Sequence, residues 1–305
     1  MTPAVHVALI IVQALFAGLA ISGRYVLPHV PAGVLVTMRV VGAAGALLTW
    51  NALRGGPWVK DKRDLLWLAG LGFLGISANQ SLFLFGLKHS TAINATILVT
   101  TVPVFTVLGS VLIGREPPSA LKFAGIGLAA AGAIWLIGPD RLTFARDVAF
   151  GNLLIVTGML CYASYFLFSK PILARHDSIT VSAYVMMFAI IGVLPLGVLG
   201  LKQFDAAAVS PTVWGWVAFI VVGPTIFTYL LNIWALRRAS SNVVAVYIYL
   251  QPLLTAAVAP LVLTGEALTP RAVAAGLLIF TGLAVVIWAE RRQRLEMPPE
   301  APVGE

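Results

Sequence analysis

Apolar residues run through this chain in stretches long enough to cross a bilayer, separated by short polar breaks. The first five stretches cover residues 4–22, 32–53, 64–87, 91–113 and 119–137. The next five cover 149–169, 179–201, 211–234, 242–263 and 270–289. Crossing the hydrocarbon takes about 20 mostly apolar residues in helical form. The pattern therefore predicts an all-α polytopic membrane protein of ten transmembrane helices. The breaks are too short to hold a soluble catalytic domain. The tail from residue 290 is charged and Pro-rich, and is expected to be disordered.

The stretches repeat. Leu87-Lys88-His89-Ser90-Thr91-Ala92 reads against Leu236-Arg237-Arg238-Ala239-Ser240-Ser241, an offset of 149 that carries on to Val102-Pro103-Val104 against Gln251-Pro252-Leu253. One inserted residue later, Gly114-Arg115-Glu116 faces Thr264-Gly265-Glu266, and Gly132 faces Gly282. Near the start of each half, Phe16-Ala17 and Arg24 stand where Tyr162-Ala163 and Lys170 stand. Two consecutive copies of an odd-helix unit enter the membrane from opposite sides. The expected organisation is a five-helix repeat over 1–143, an inverted five-helix repeat over 144–289 and a cytoplasmic tail over 290–305. Inverted repeats are a recurring design of secondary transporters, since two near-equivalent bundles can exchange conformations around a central site.

Composition sharpens the class. Hydrophobic residues make up 59% and charged residues 10%, with a mean hydropathy of +0.94; soluble chains carry about 25% charged residues. The net charge of +8 and pI near 9.9 would suggest nucleic-acid binding in a soluble protein. Here the basic residues fall between the apolar runs, where they set orientation. With both termini cytoplasmic, thirteen of the 20 Lys and Arg lie on inner segments and six on outer loops, with Arg39 left inside a span. The positive-inside rule favours that orientation. No nucleic-acid partner is expected; the partners are a small-molecule substrate and the lipid bilayer, with the protein as a monomer. Cys161 is the single cysteine, and His6, His29, His89 and His176 lie at or near helix ends. No metal, cofactor or nucleophile–base arrangement is expected. The run 4–22 lacks a basic residue before it and a small-residue cleavage site, and reads as a retained helix.

Candidate site residues are the polar and aromatic side chains inside the spans. They are Gln13 and Phe16 on the first, Ser77, Asn79, Gln80 and Ser81 on the third, and Asn94, Thr100 and Thr101 on the fourth. Tyr162, Ser164 and Tyr165 follow on the sixth, Thr225, Thr228, Tyr229 and Asn232 on the eighth, and Tyr247, Tyr249 and Gln251 on the ninth. Of these, Gln13, Phe16, Ser77, Asn79, Asn94, Thr100, Tyr162, Tyr165, Tyr229, Asn232, Tyr247 and Gln251 are the expected substrate contacts. Interhelical glue is the competing role for any one of them. Pro103 and Pro252 each free the carbonyl four residues earlier, and with Gly75 and Pro224 are expected hinges. Arg39 is the one charge well inside a span, a gating or anchoring group close enough to the outer end to snorkel. Glu116 and Glu266 sit at span ends, and no Asp or Glu lies mid-span.

The small residues, mid-span Pro, Gly-Glu end and Gly-punctuated last helix of Ala95 to Gly132 and of Ala245 to Gly282 resemble the half-repeat of EamA-type transporters, in the drug/metabolite transporter superfamily. Leu35-Val36-Thr37-Met38-Arg39 resembles the family's second helix. The resemblance covers about residues 5 to 290, and within it the chain resembles bacterial aromatic amino-acid exporters of the YddG type, which implies amino acids as substrates and a bacterial inner-membrane location. Arg115, which separates the first Gly-Glu pair, departs from the family pattern. Neutral dipoles and aromatic rings suit a neutral or zwitterionic solute, and the missing mid-span carboxylate favours facilitated export over proton coupling. The alternatives are drug efflux by proton antiport, using Glu116, Glu266 or a histidine, and a polytopic membrane enzyme. Phosphorylated-sugar carriage would place Lys or Arg deep in the second half, where none is found.

Overall fold

The computed structural model describes residues 2–90, 98–137, 146–202, 204–254, 257 and 270–296. All regular structure among them is helical. The helices are α1 (Pro3–Val26), α2 (Ala32–Leu53), α3 (Lys62–Gly72 and Asn79–His89, joined by the π turn Phe73–Ala78), α4 (Val102–Leu112) and α5 (Ala120–Ile137). They continue as α6 (Arg146–Arg175), α7 (Ser178–Leu201), α8 (Pro211–Val221 and Thr228–Leu236, joined by the π turn Val222–Phe227) and α10 (Pro270–Glu296). Between α8 and α10 lies α9, which begins as Ser241–Val246, tightens into the 3-10 turn Tyr247–Tyr249 and resumes to Leu254. Six of these units are long and apolar enough to cross a membrane, and the four others are shorter apolar helices. The ten-helix plan read from the apolar runs is the architecture. Outward-facing Leu53, Leu66, Leu112, Ile191 and Leu277 are exposed, as lipid-facing side chains are.

Equivalent helices of the two halves meet. α2 packs along α7, where Thr37 Oγ1 donates to the Val193 carbonyl at 3.1 Å and a Cβ on Gly197 would lie 2.4 Å from that hydroxyl. α5 packs along α10 in a reciprocal way. Gly125 faces Gly282, and Gly132, the counterpart of Gly282, faces Ala275, whose backbone oxygen lies 3.0 Å from a Cβ built there. Such reciprocity is the mark of a two-fold relation. α3 packs on α6 as α8 packs on α1. Small residues at these crossings let backbones approach, which stands in for the hydrophobic drive that lipid removes.

One end of the bundle is tied by charge. Asp64, buried at the start of α3, pairs with Arg175 and with His176 Nε2, the latter at 2.6 Å. Arg54 joins α2 to α7 through Asp177 at 2.6 Å and Thr180 at 3.1 Å, and donates to Asn51 of its own helix at 2.7 Å. Lys122 on α5 is fully buried and holds Glu116 and Glu290, each at 2.6 Å, while Asn242 Nδ2 donates to Glu116 at 2.6 Å and to Ser110 at 3.0 Å. Gly114, at φ +69°, is what lets the chain turn back after α4 so that Glu116 reaches this cluster. Glu290, held by Lys122, lies within α10, which runs on to Glu296. Residues beyond 296, and the expected 143/144 boundary, lie outside the described residues.

Candidate functional site

The site is organised by two defects in two equivalent helices. The π turns Phe73–Ala78 and Val222–Phe227 stand at the same offset, 149, that relates the halves. A π turn adds a residue to the helical repeat and leaves backbone groups needing other partners. In α8, Pro224 has no N–H to give the Ile220 carbonyl. Thr225 Oγ1 donates to that carbonyl at 2.8 Å, and Thr228 Oγ1 donates to Gly223 O at 3.3 Å. In α3, Gly75 leaves room for α6: a Cβ there would lie 2.5 Å from the Tyr165 ring.

Just beyond each π turn, Gln80 Nε2 donates to the Tyr229 hydroxyl at 3.3 Å. The two residues are 149 apart, so they are counterparts in the repeat. A bond between counterparts lies on the two-fold axis relating them, which marks the centre of the molecule. Thr225, Tyr229 and Asn232 form one stripe on α8 by their i, i+4, i+7 spacing.

Arg39 meets the top of this stripe. Its side chain is 7% exposed and does not snorkel to the outer end of α2; its Nε donates to Thr225 Oγ1 at 2.9 Å. Lower down, Asn232 Nδ2 reaches the Tyr162 hydroxyl at 3.5 Å, a long contact. Tyr162 stacks on Tyr165 with centroids 5.9 Å apart and rings within 12°, and Phe166 leans on Tyr162 at 4.6 Å. The oxygens of Gln13, Asn232, Tyr165 and Tyr249 are buried and have no hydrogen-bond partner among the described residues. Together these give an aromatic wall on α6 and unspent acceptors on α1 and α8.

Other expected contacts are placed differently. Ser77 Oγ donates to Ala189 O at 2.9 Å and Asn79 Nδ2 to Gly158 O at 3.0 Å, so both join helices by binding backbone. Tyr247 pairs its hydroxyl with His6 Nδ1, closing α9 on the start of α1. Phe16 is half-buried, Thr100 is buried beside the start of α4, and Gln251 is half-buried just beyond the 3-10 segment. Asn94 lies outside the described residues. The prolines follow breaks: Pro103 opens α4 after the turn at Thr100–Thr101, and Pro252 follows the 3-10 turn Tyr247–Tyr249. Arg115 caps the Leu167 carbonyl that Pro171 leaves free on α6, which gives the residue interrupting the Gly-Glu pair a structural task. Gln80 is not among the expected contacts, and nothing in the sequence joins Lys122, Asn242 and Glu290 into one cluster. The offset of 149, applied to Tyr229, points to Gln80.

Comparison with known proteins agrees with the two-half plan. The model of the EamA-like transporter family matches residues 4–138 and again 149–288. An uncharacterized transporter of Archaeoglobus fulgidus is 27% identical over 252 residues, covering 82% of this chain and 86% of that one. A probable terminal-alkyne amino-acid exporter of Streptantibioticus cattleyicolor is 30% identical over 233 residues, covering 75% and 74%. A solved crystal structure superposes with a TM-score of 0.78 over 96% of this chain and 100% of its own, at 19% identity, a likeness of fold alone. Matched in both halves and built as a ten-helix bundle around a two-fold centre, the chain belongs to the EamA-like transporter family.

Proposed function

We propose that this protein exports small neutral or zwitterionic amino acids, or similar metabolites, by alternating access and down their own gradient. The observation that carries the reading is the Gln80–Tyr229 bond between counterpart residues at the junction of two counterpart π turns. A centre shared by two equivalent bundles can open to either side with the same contacts exchanged, the geometry a carrier uses. The amino-acid assignment draws on the similarity to the probable amino-acid exporter of Streptantibioticus and on a site of aromatic rings and neutral dipoles. The protein sits in the bacterial inner membrane with both termini cytoplasmic, as one 1–143 and one 144–289 repeat. The charge-tied end then faces the cytoplasm.

The test is efflux of each of the twenty amino acids from proteoliposomes, with and without an imposed pH gradient. Saturable efflux of one or a few, indifferent to the gradient, is the expected result. A second reading, proton antiport, is favoured by one observation: Glu116 and Glu290 share the single buried ammonium of Lys122. Uphill accumulation driven by the gradient and lost in Glu116→Gln would establish that reading in place of the facilitated one. Cysteine labelling at Lys60 and Lys202, in a Cys161→Ser background, tests the orientation. Label reaching Lys60 from outside intact cells would reverse it.

A further inference from the structure

We propose that Arg39 is the docking point for the carboxylate of a zwitterionic substrate, so that the protein carries amino acids and refuses the corresponding amides. The inference rests on the carrier reading above and adds the chemical group the site selects. The Arg39 side chain is more than nine-tenths buried, yet its one hydrogen bond to a described residue is from Nε to Thr225. Its terminal amino groups bond to no described residue. The carboxylates that pair with cations elsewhere are committed: Asp64 to Arg175 and His176, Asp177 to Arg54, Glu116 and Glu290 to Lys122. A buried cation without a counter-ion is unfavourable unless something else neutralises it.

The geometry says what can. Fixing Nε leaves the two terminal N–H groups pointing forward together, the fork that accepts a carboxylate end-on through two parallel hydrogen bonds. Thr225 is itself held by its bond to Ile220 O, so the guanidinium is positioned through a hydroxyl tied to the backbone of α8. That hydroxyl lies one turn from Tyr229, the residue on the two-fold centre. A charge placed there sits beside the element that must change between the two access states. Neutralising it by substrate gives the loaded carrier a different balance from the empty one, which couples binding to the change of access.

Two measurements on the full-length protein test this. The first is thermal protection in detergent by benzoate against benzamide, a pair alike in ring and differing in the carboxylate. Wild type should be protected saturably by benzoate and not by benzamide. Arg39→Gln should fold, melt at or above the wild-type temperature, and lose benzoate protection by tenfold or more in half-saturating concentration. Arg39→Lys, which keeps the charge without the fork, should fall between them. A structural anchor instead predicts a lower melting temperature for Arg39→Gln with benzoate protection retained where it folds, and that result overturns the proposal. The second needs no variant: exchange of phenylalanine against phenylalaninamide by wild type in proteoliposomes. Equal exchange of the amide sinks the carboxylate site and leaves the exporter intact. Arg39-dependent benzoate protection with no exchange of any amino acid leaves the carboxylate site and sinks the exporter.

Discussion

The Thr225 hydroxyl serves two helices at once, donating to the carbonyl that Pro224 leaves free and accepting from Arg39. Replacing it by Val keeps the shape and removes both bonds. We expect Thr225→Val to lower stability by about 1–3 kcal/mol, the cost of stranding buried polar groups, and Thr225→Ser to be near neutral. Thermal melting in detergent checks this; equal melting of both variants would mean the hydroxyl is idle. Asp177 gives a second test. Burial alone would raise its carboxyl, but hydrogen bonds from Thr180 and the Arg54 guanidinium outweigh that and hold its pKa below the ordinary value. A carboxylate with a depressed folded pKa stabilises at and above its unfolded pKa, and the contribution fades as pH falls through the depressed value. The melting-temperature gap between wild type and Asp177→Asn should therefore be full at neutral pH and shrink below about pH 4. A gap independent of pH would remove the clamp from the account. At this scale the sequence was a partial guide. It marked Tyr229, Asn232, Tyr162 and Arg39 by residue type and position, but could not tell Asn232, whose oxygen is unspent, from Asn79, whose amide binds Gly158 O. Residue type names a hydrogen-bonding capacity, and only packing decides where it is used.

Helices here owe their contacts to small residues and their site to interruptions. A Cβ on Gly282 would lie 2.5 Å from the Gly125 carbonyl oxygen and 2.6 Å from Ala129 N, backbone atoms that cannot step aside. Gly127, on the same helix as Gly125, has nothing within 4 Å. Gly282→Ala should cost about 1–3 kcal/mol by overpacking, while Gly127→Ala should be neutral or gain up to about 1 kcal/mol in helix propensity. If Gly282→Ala melts like wild type, α5 and α10 do not depend on that contact. The proline-linked breaks in α4 and α9 were legible, because a missing N–H is written in the sequence. The π turns were not, since Gly75 and Gly223-Pro224 announce weakness without saying whether the helix kinks, tightens or widens. The full length of α10 was also hidden, because the charged 290–296 segment reads as tail until Lys122 is seen to hold Glu290.

For the whole molecule, the apolar runs and the 149 offset make the bundle and its two halves readable in the sequence, because bilayer thickness and odd helix number leave few alternatives. What joins the halves at the centre needed the structure. If α4 and α9 flex at Pro103 and Pro252, Pro103→Ala and Pro252→Ala should slow exchange several-fold while leaving half-saturation unchanged; normal rates in both would make the prolines packing features only. The claim on which the account turns is that this is a carrier whose centre is exposed to one side at a time. Counterflow tests it most directly. Proteoliposomes are loaded with the amino acid that leaves fastest in the efflux panel, diluted into a trace of the same compound labelled, and followed in time. A carrier of this kind gives a transient overshoot of internal label above its equilibrium level. A monotonic approach to equilibrium, with a rate that does not saturate, would contradict it.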